Sequence, residues 1–242
     1  MALGSQPRWT VRPAVTGVPA DIDVGLRDYM LRIYNYMASG LALTGIVAYV
    51  FAQSGMYAQV AQTPFIWLIM LAPLGLVLWI SYGLQKMQAS TAQALFWVFA
   101  TLMGLSLASI FMRFTGASIA RVFFITAGTF AAMSLYGYTT KRDLSRFGSF
   151  LIMGLIGILL ASVVNIFLAS SALHFAISVI GVLVFVGLTA WDTQRIKETY
   201  YEYQYADGDT VSKQAIMGAL TLYLDFINLF VMLMQLLGVR RD

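Results

Sequence analysis

Two carboxylates in this sequence stand where a carboxylate is costly. Asp225 lies near the middle of the apolar run MGALTLYLDFINLFVMLMQLLG at 217–238, and Asp192 closes the preceding apolar run, in LTAWDTQRIK. A run of roughly 20 apolar residues crosses a bilayer, and an ionisable group at that depth costs roughly 2.5–3.5 kcal/mol on insertion scales. The rest of the 11 acidic residues fall outside such runs. Asp21, Asp23 and Asp28 are near the N-terminus, and Asp143 is in a basic loop. Glu198, Glu202, Asp207 and Asp209 separate the last two apolar runs, and Asp242 is the last residue. Because those two runs are consecutive, they are read as antiparallel helices, and their carboxylates can meet within one half of the membrane. Two carboxylates in a low-dielectric site cannot both ionise cheaply. They share a proton and titrate as one coupled unit, which suits a pH sensor. Ionised, the pair attracts a cation, preferably Ca²⁺, which takes oxygen ligands.

Asp225 has polar company. Gly218, Thr221, Asp225, Asn228, Met232 and Gln235 recur at alternating steps of three and four residues, which places them along one side of a helix. Thr221, Asn228 and Gln235 are the supporting polar groups of this seam. Leu222, Phe226, Leu229, Leu233 and Leu236 cover another side. Such a helix faces other helices or a water-filled cavity. Plainer roles exist for both acids: Asp225 as a protonated hydrogen-bonder between helices, and Asp192 as an interfacial residue bound to Arg195 or Lys197.

Other chemistry is poorly represented. The absence of cysteine removes thiol nucleophiles and zinc–thiolate sites. The single histidine, His174, begins an apolar run and reads as a solvated interfacial residue. SLAS at 106–109 lacks a histidine or lysine base at its depth, which discounts a serine hydrolase. Two intramembrane aspartates also suggest an aspartyl protease, but the second would be expected in a GxGD context followed by a PAL motif, and here it stands in LYLD. A non-enzymatic protein with no bound cofactor is expected.

The elements that position the acids are membrane helices. Of 242 residues, 60% are hydrophobic and 11% charged, against about 45–50% and about 25% in soluble domains. Seven apolar segments, at 34–52, 65–84, 92–112, 122–139, 148–168, 174–191 and 215–238, are near spanning length. Pro73 interrupts the second, where it kinks the helix or frees a carbonyl. The stretch DTQRIKETYYEY continues the sixth segment out of the membrane, and ADGDT at 206–210 reads as a turn. Residues 1–28 are polar, contain Pro7, Pro13 and Pro19, and read as a mobile cytoplasmic tail ahead of a transmembrane domain at 29–242. Eleven of the 15 Lys and Arg residues fall on the side that holds this tail, leaving Arg113, Arg121, Arg240 and Arg241 on the other. By the positive-inside rule, the N-terminus is cytoplasmic and the C-terminus outside. The net charge of +4 is therefore a topology signal, and a nucleic-acid surface is not expected.

Four stretches carry a family resemblance: YMLRIYNYMASGLALTG at 29–45, SLYGYTTKRDLSRFGSFLIMGLIG at 134–157, LTAWDTQRIK at 188–197 and TLYLDFINLF at 221–230. Together they resemble the transmembrane Bax inhibitor motif family, and within it the bacterial YccA-like branch. The resemblance implies an all-α bacterial inner-membrane protein, monomeric or weakly oligomeric. Its seventh helix would be central, wrapped by the other six in two layers. It also implies a pH-sensitive Ca²⁺ leak whose sensor aspartates match Asp192 and Asp225, with Ca²⁺ contacting them transiently. Family channels latch the sixth-helix aspartate with an arginine at the end of the second helix, where SYGLQKMQAS offers only Lys86. A lysine lacks the bidentate fork, so that latch is weaker, differently placed or absent here. The YccA-like branch is also associated with binding and modulating the membrane protease FtsH. That is the competing expectation, with the N-terminal tail as the handle.

Overall fold

The computed structural model describes residues 23–241. Among them are eight α-helices: α1 (Val24–Gln53), the short α2 (Met56–Val60), α3 (Phe65–Gly83), α4 (Ala89–Arg113), α5 (Gly116–Thr139), α6 (Ser145–Leu168), α7 (Ser171–Tyr203) and α8 (Gly208–Leu237). A 3₁₀ turn, Leu84–Lys86, extends α3. All but α2 are long and apolar enough to cross a membrane. The protein is an all-α polytopic membrane protein, with α7 and α8 as its sixth and seventh spans. Residues 1–22 of the N-terminal tail lie outside the described residues. The first helix begins at Val24, ahead of residue 29, because the Asp23 side chain accepts a hydrogen bond from Leu26 N at 3.0 Å and so caps it.

Helix α8 is the axis of the bundle. It packs on α1, α4, α5 and α7, while α3 packs on α4 and α6 on α7. Burial follows this order. In the apolar window of α8, 67% of residues are buried, against 11% in α3 and 6% in α6. The two outer helices instead display large apolar side chains such as Trp67, Phe150 and Phe167, the surface a bilayer covers.

Two local devices set the inner packing. Pro73 lacks the N–H that would bond the carbonyl of Ile69, and Ser106 Oγ of α4 donates to that carbonyl at 2.6 Å. The freed carbonyl is thus satisfied inside the bundle, and Ser106 has a structural partner. Between α5 and α7, Gly137 lies against the backbone carbonyl of Ala190, with no room for a Cβ. This close approach brings α5 against the α7 segment that carries Asp192. Gly137→Ala is expected to push the helices apart and destabilise the protein by about 1–3 kcal/mol. Thermal unfolding in detergent checks this, and an unchanged midpoint would remove Gly137 from the account of the packing.

The start of α8 is set outside the membrane. Asp207 caps the helix, accepting from Thr210 N at 3.0 Å and from Thr210 Oγ1 at 2.7 Å. These bonds hold its carboxyl below the usual carboxylate range. The sign follows: a depressed folded-state value contributes stability above the ordinary carboxylate range, and that contribution disappears as pH falls through the folded-state value. Asp207→Ala is expected to lower the melting temperature at neutral pH and to flatten its acid-side decline. Parallel melting curves for variant and wild type across the acid range would contradict this.

Candidate functional site

The segment 188–197 of α7 touches a different part of the fold at almost every residue. Thr193 Oγ1 lies 3.0 Å from Ser134 Oγ, which is 2.6 Å from Tyr34 OH, so a chain of hydroxyls joins α7, α5 and α1. Gln194 accepts from Leu144 N at 2.8 Å and donates to the carbonyl of Arg142 at 2.9 Å, fixing the α5–α6 connection. Lys197 Nζ donates to the carbonyl of Tyr138 at 3.0 Å near the end of α5, where a cation also complements the helix dipole. Held on these sides, α7 turns Asp192 toward α8.

Helix α8 is fixed from the opposite direction. Tyr223 is fully buried, and its hydroxyl lies 2.6 Å from Thr44 Oγ1, which donates to the carbonyl of Ala100 at 2.8 Å. Tyr223 therefore faces α1 and α4, and Asp225, two residues on, faces α7. The two carboxyl groups lie within hydrogen-bonding reach of each other. Each residue is only 5% exposed. Asp225 Oδ2 is buried without a hydrogen-bond donor. Groups in this position need a partner, which a proton on one carboxyl would supply.

The nearby cation is Arg195. Its Nη1 lies 3.8 Å from Asp192 Oδ1, and its side chain is 57% exposed. The guanidinium also stands over the Trp191 ring, 5.2 Å from its centre. The latch considered at Lys86 is not formed. Lys86 is exposed at the end of the turn after α3, and the ion pairs among the described residues are Asp192–Arg195 and Asp209–Lys213. One helical turn separates Asp192 from Arg195, so α7 carries its own cation.

A cavity of about 330 Å³ opens onto the pair. Val77 and Ser81 of α3, Leu155 of α6 and Phe185 of α7 border it, and Thr221, Asp225 and Asn228 line its α8 side. The polar seam is only partly a lining. Gln235 faces a separate cavity at the other end of the bundle and accepts from Ser178 Oγ at 2.6 Å. Gly218 packs near Ile33 and Ile196, and Met232 packs against Gly181. Thr221 and Asn228 donate to carbonyls of their own helix, those of Met217 and Leu224, which leaves the Asn228 carbonyl oxygen as an acceptor. Among the described residues no three His, Asp or Glu side chains cluster as a metal site. Ca²⁺ takes 6–8 oxygens. Two carboxylates and an amide suit passing contact with a cation better than resident binding.

A family profile described as Inhibitor of apoptosis-promoting Bax1 matches residues 26–242. This protein belongs to the Bax inhibitor family. Its relatives include the inner membrane protein YbhL of Escherichia coli K12, 51% identical over 219 residues, which cover 90% of this chain and 94% of YbhL. An uncharacterized protein of Rickettsia prowazekii is 55% identical over 91% of this chain and 93% of its own length. An uncharacterized membrane protein of Streptococcus pyogenes is 32% identical over 89% and 94%. The family match spans both aspartates and every helix that positions them.

Proposed function

We propose that this Bax inhibitor family protein is a multi-pass inner-membrane cation leak, with Ca²⁺ as the leading ion, controlled by the proton shared between Asp192 and Asp225. The observation that carries this reading is the contact of two buried carboxyl groups from adjacent helices at the wall of a cavity. With one proton between them, the carboxyls hydrogen-bond and hold α7 to α8. When pH rises and the proton leaves, two like charges face each other in a low-dielectric setting and repel. The same loss creates an anionic site that draws a cation from the cavity, while Arg195 offsets part of that charge. The inner-membrane location follows YbhL, and the excess of basic residues at the end that carries the α7–α8 connection supports a cytoplasmic face there. The pair then reads cytoplasmic pH.

The test is Ca²⁺ flux into proteoliposomes across a pH series. Flux that rises with pH supports the reading, and flux no greater than that of empty liposomes at every pH ends it. A modulator of FtsH predicts that second outcome. That alternative rests on the N-terminal tail, of which residues 1–22 lie outside the described ones.

A further inference from the structure

Among the described residues, the end of the bundle opposite the α7–α8 connection has few basic residues, yet most of them converge. Of its four arginines, Arg113, Arg240 and Arg241 line one cavity of about 580 Å³, together with His174 and Gln235. The convergence is built into the backbone. After α8 ends, the chain folds back against the α4–α5 connection. Thr115 N donates to the carbonyl of Val239 at 3.0 Å, and Arg241 N donates to that of Arg113 at 2.9 Å. Val239 N donates to Ser118 Oγ at 2.8 Å. The last arginines are thus pinned beside the helix bundle. Among the described residues, no carboxylate lines this cavity and none of its three guanidinium groups has an ion-pair partner.

Three like charges around one cavity repel unless an anion stands between them. Guanidinium forks match phosphate oxygens in particular, through paired, charge-assisted hydrogen bonds. The remaining walls include Ile110 and Met234, so a polar rim adjoins an apolar interior. Such a lining suits a phosphate that carries an acyl chain at the membrane surface. The positive-inside bias runs against basic residues at this end, which gives their clustering there a cause other than topology.

We propose that this cavity binds a phosphate group, carried by an anionic phospholipid headgroup or free in solution. The proposal is independent of the leak reading, since the aspartate pair lies in a different cavity. The full-length protein in neutral detergent is titrated with phosphatidylglycerol, with phosphatidylcholine and with inorganic phosphate, and binding is read by native mass spectrometry and by the shift in melting temperature. Phosphatidylglycerol is expected to bind more tightly than phosphatidylcholine. The double variant R240Q/R241Q should weaken that binding about tenfold, while R121Q, at the same end but outside the cavity, leaves it unchanged. R113Q should weaken it as well. If inorganic phosphate alone gives the arginine-dependent shift, the phosphate source is soluble, and if only the lipid does, it is the membrane. Equal binding by wild type and a folded R240Q/R241Q protein, as judged by size-exclusion profile, would overturn the proposal, as would the absence of any shift with both phosphatidylglycerol and inorganic phosphate. R240Q/R241Q alters only exposed residues after the last helix, so the site can be tested without disturbing the bundle.

Discussion

Asp225→Asn is expected to leave a folded protein whose cation flux stays low at every pH. Asparagine is nearly isosteric with aspartate, and its amide N–H₂ can donate to the Asp192 carboxylate at any pH. It therefore imitates the carboxyl pair with its proton in place and cannot lose that proton. The repulsion proposed to separate α7 from α8 never develops, and the proposed anionic site for a cation is not created. Wild-type flux should rise about tenfold or more between the protonated and ionised forms of the pair, a difference of about 1.4 kcal/mol between closed and open states. In Asp225→Asn the same pH range should change flux less than about twofold. Asp192→Asn is expected to act in the same direction and additionally to release Arg195, which loses its 3.8 Å partner. A pH–flux profile of either variant that overlays the wild type would show that the pair is structural, holding two helices together as a buried hydrogen bond.

The pair itself was legible in the sequence because a charge inside an apolar run is conspicuous, and so were the number of spans and the inner position of the last one. Sequence also offered Arg195 or Lys197 as the partner of Asp192; Arg195 is the one that pairs, since one helical turn fixes its distance whatever the tertiary fold, while Lys197 bonds the carbonyl of Tyr138. Whether Lys86 pairs with Asp192 was left open by the sequence for the opposite reason, and among the described residues it forms no ion pair. Its pairing needed the end of α3 to approach α7, and helical periodicity holds no information about that approach. The seam on α8 shows the same limit. Its spacing correctly placed Thr221, Asp225 and Asn228 together, but whether a position meets a cavity or a side chain depends on the neighbour. Met232 meets Gly181, and Gln235 meets Ser178. Least visible were Tyr34, Ser134, Thr193, Gln194 and Tyr223. Their bonds join positions about 50 to 180 residues apart, and in a membrane helix their side chains are as easily read as bonded to their own backbone. The one faint signal was density: Thr193 and Gln194 sit directly beside Asp192, and Tyr223 two residues before Asp225.

Tyr223→Ala is expected to produce the largest loss of stability, because Tyr223 is where the axis helix is locked to its neighbours. The ring is fully buried and meets Phe96 and Phe99 edge-on, with centroids 6.1 and 5.4 Å away. Within a bilayer, packing and interhelical hydrogen bonds hold helices together, since lipid tails are as apolar as the side chains they would replace. Truncating this ring removes both at the junction of α1, α4 and α8. By analogy with Phe and Trp truncations in cores, the cost is about 3–5 kcal/mol, a large share of the roughly 5–15 kcal/mol that holds a typical protein folded. Tyr223→Phe separates the two contributions. It keeps the ring and removes only the hydroxyl, and Thr44 retains its bond to the carbonyl of Ala100, so about 1 kcal/mol is expected. The pair of variants also bears on the gate. Asp225 follows Tyr223 by two residues on the same helix, so a loosened Tyr223 lets Asp225 drift from Asp192. Under the proposed leak, Tyr223→Ala should therefore raise flux at low pH, where the proposal has the wild type closed, while Tyr223→Phe leaves it low. Equal stability of Tyr223→Ala and Tyr223→Phe in denaturant titrations would place the lock elsewhere, in the hydroxyl or in another helix contact.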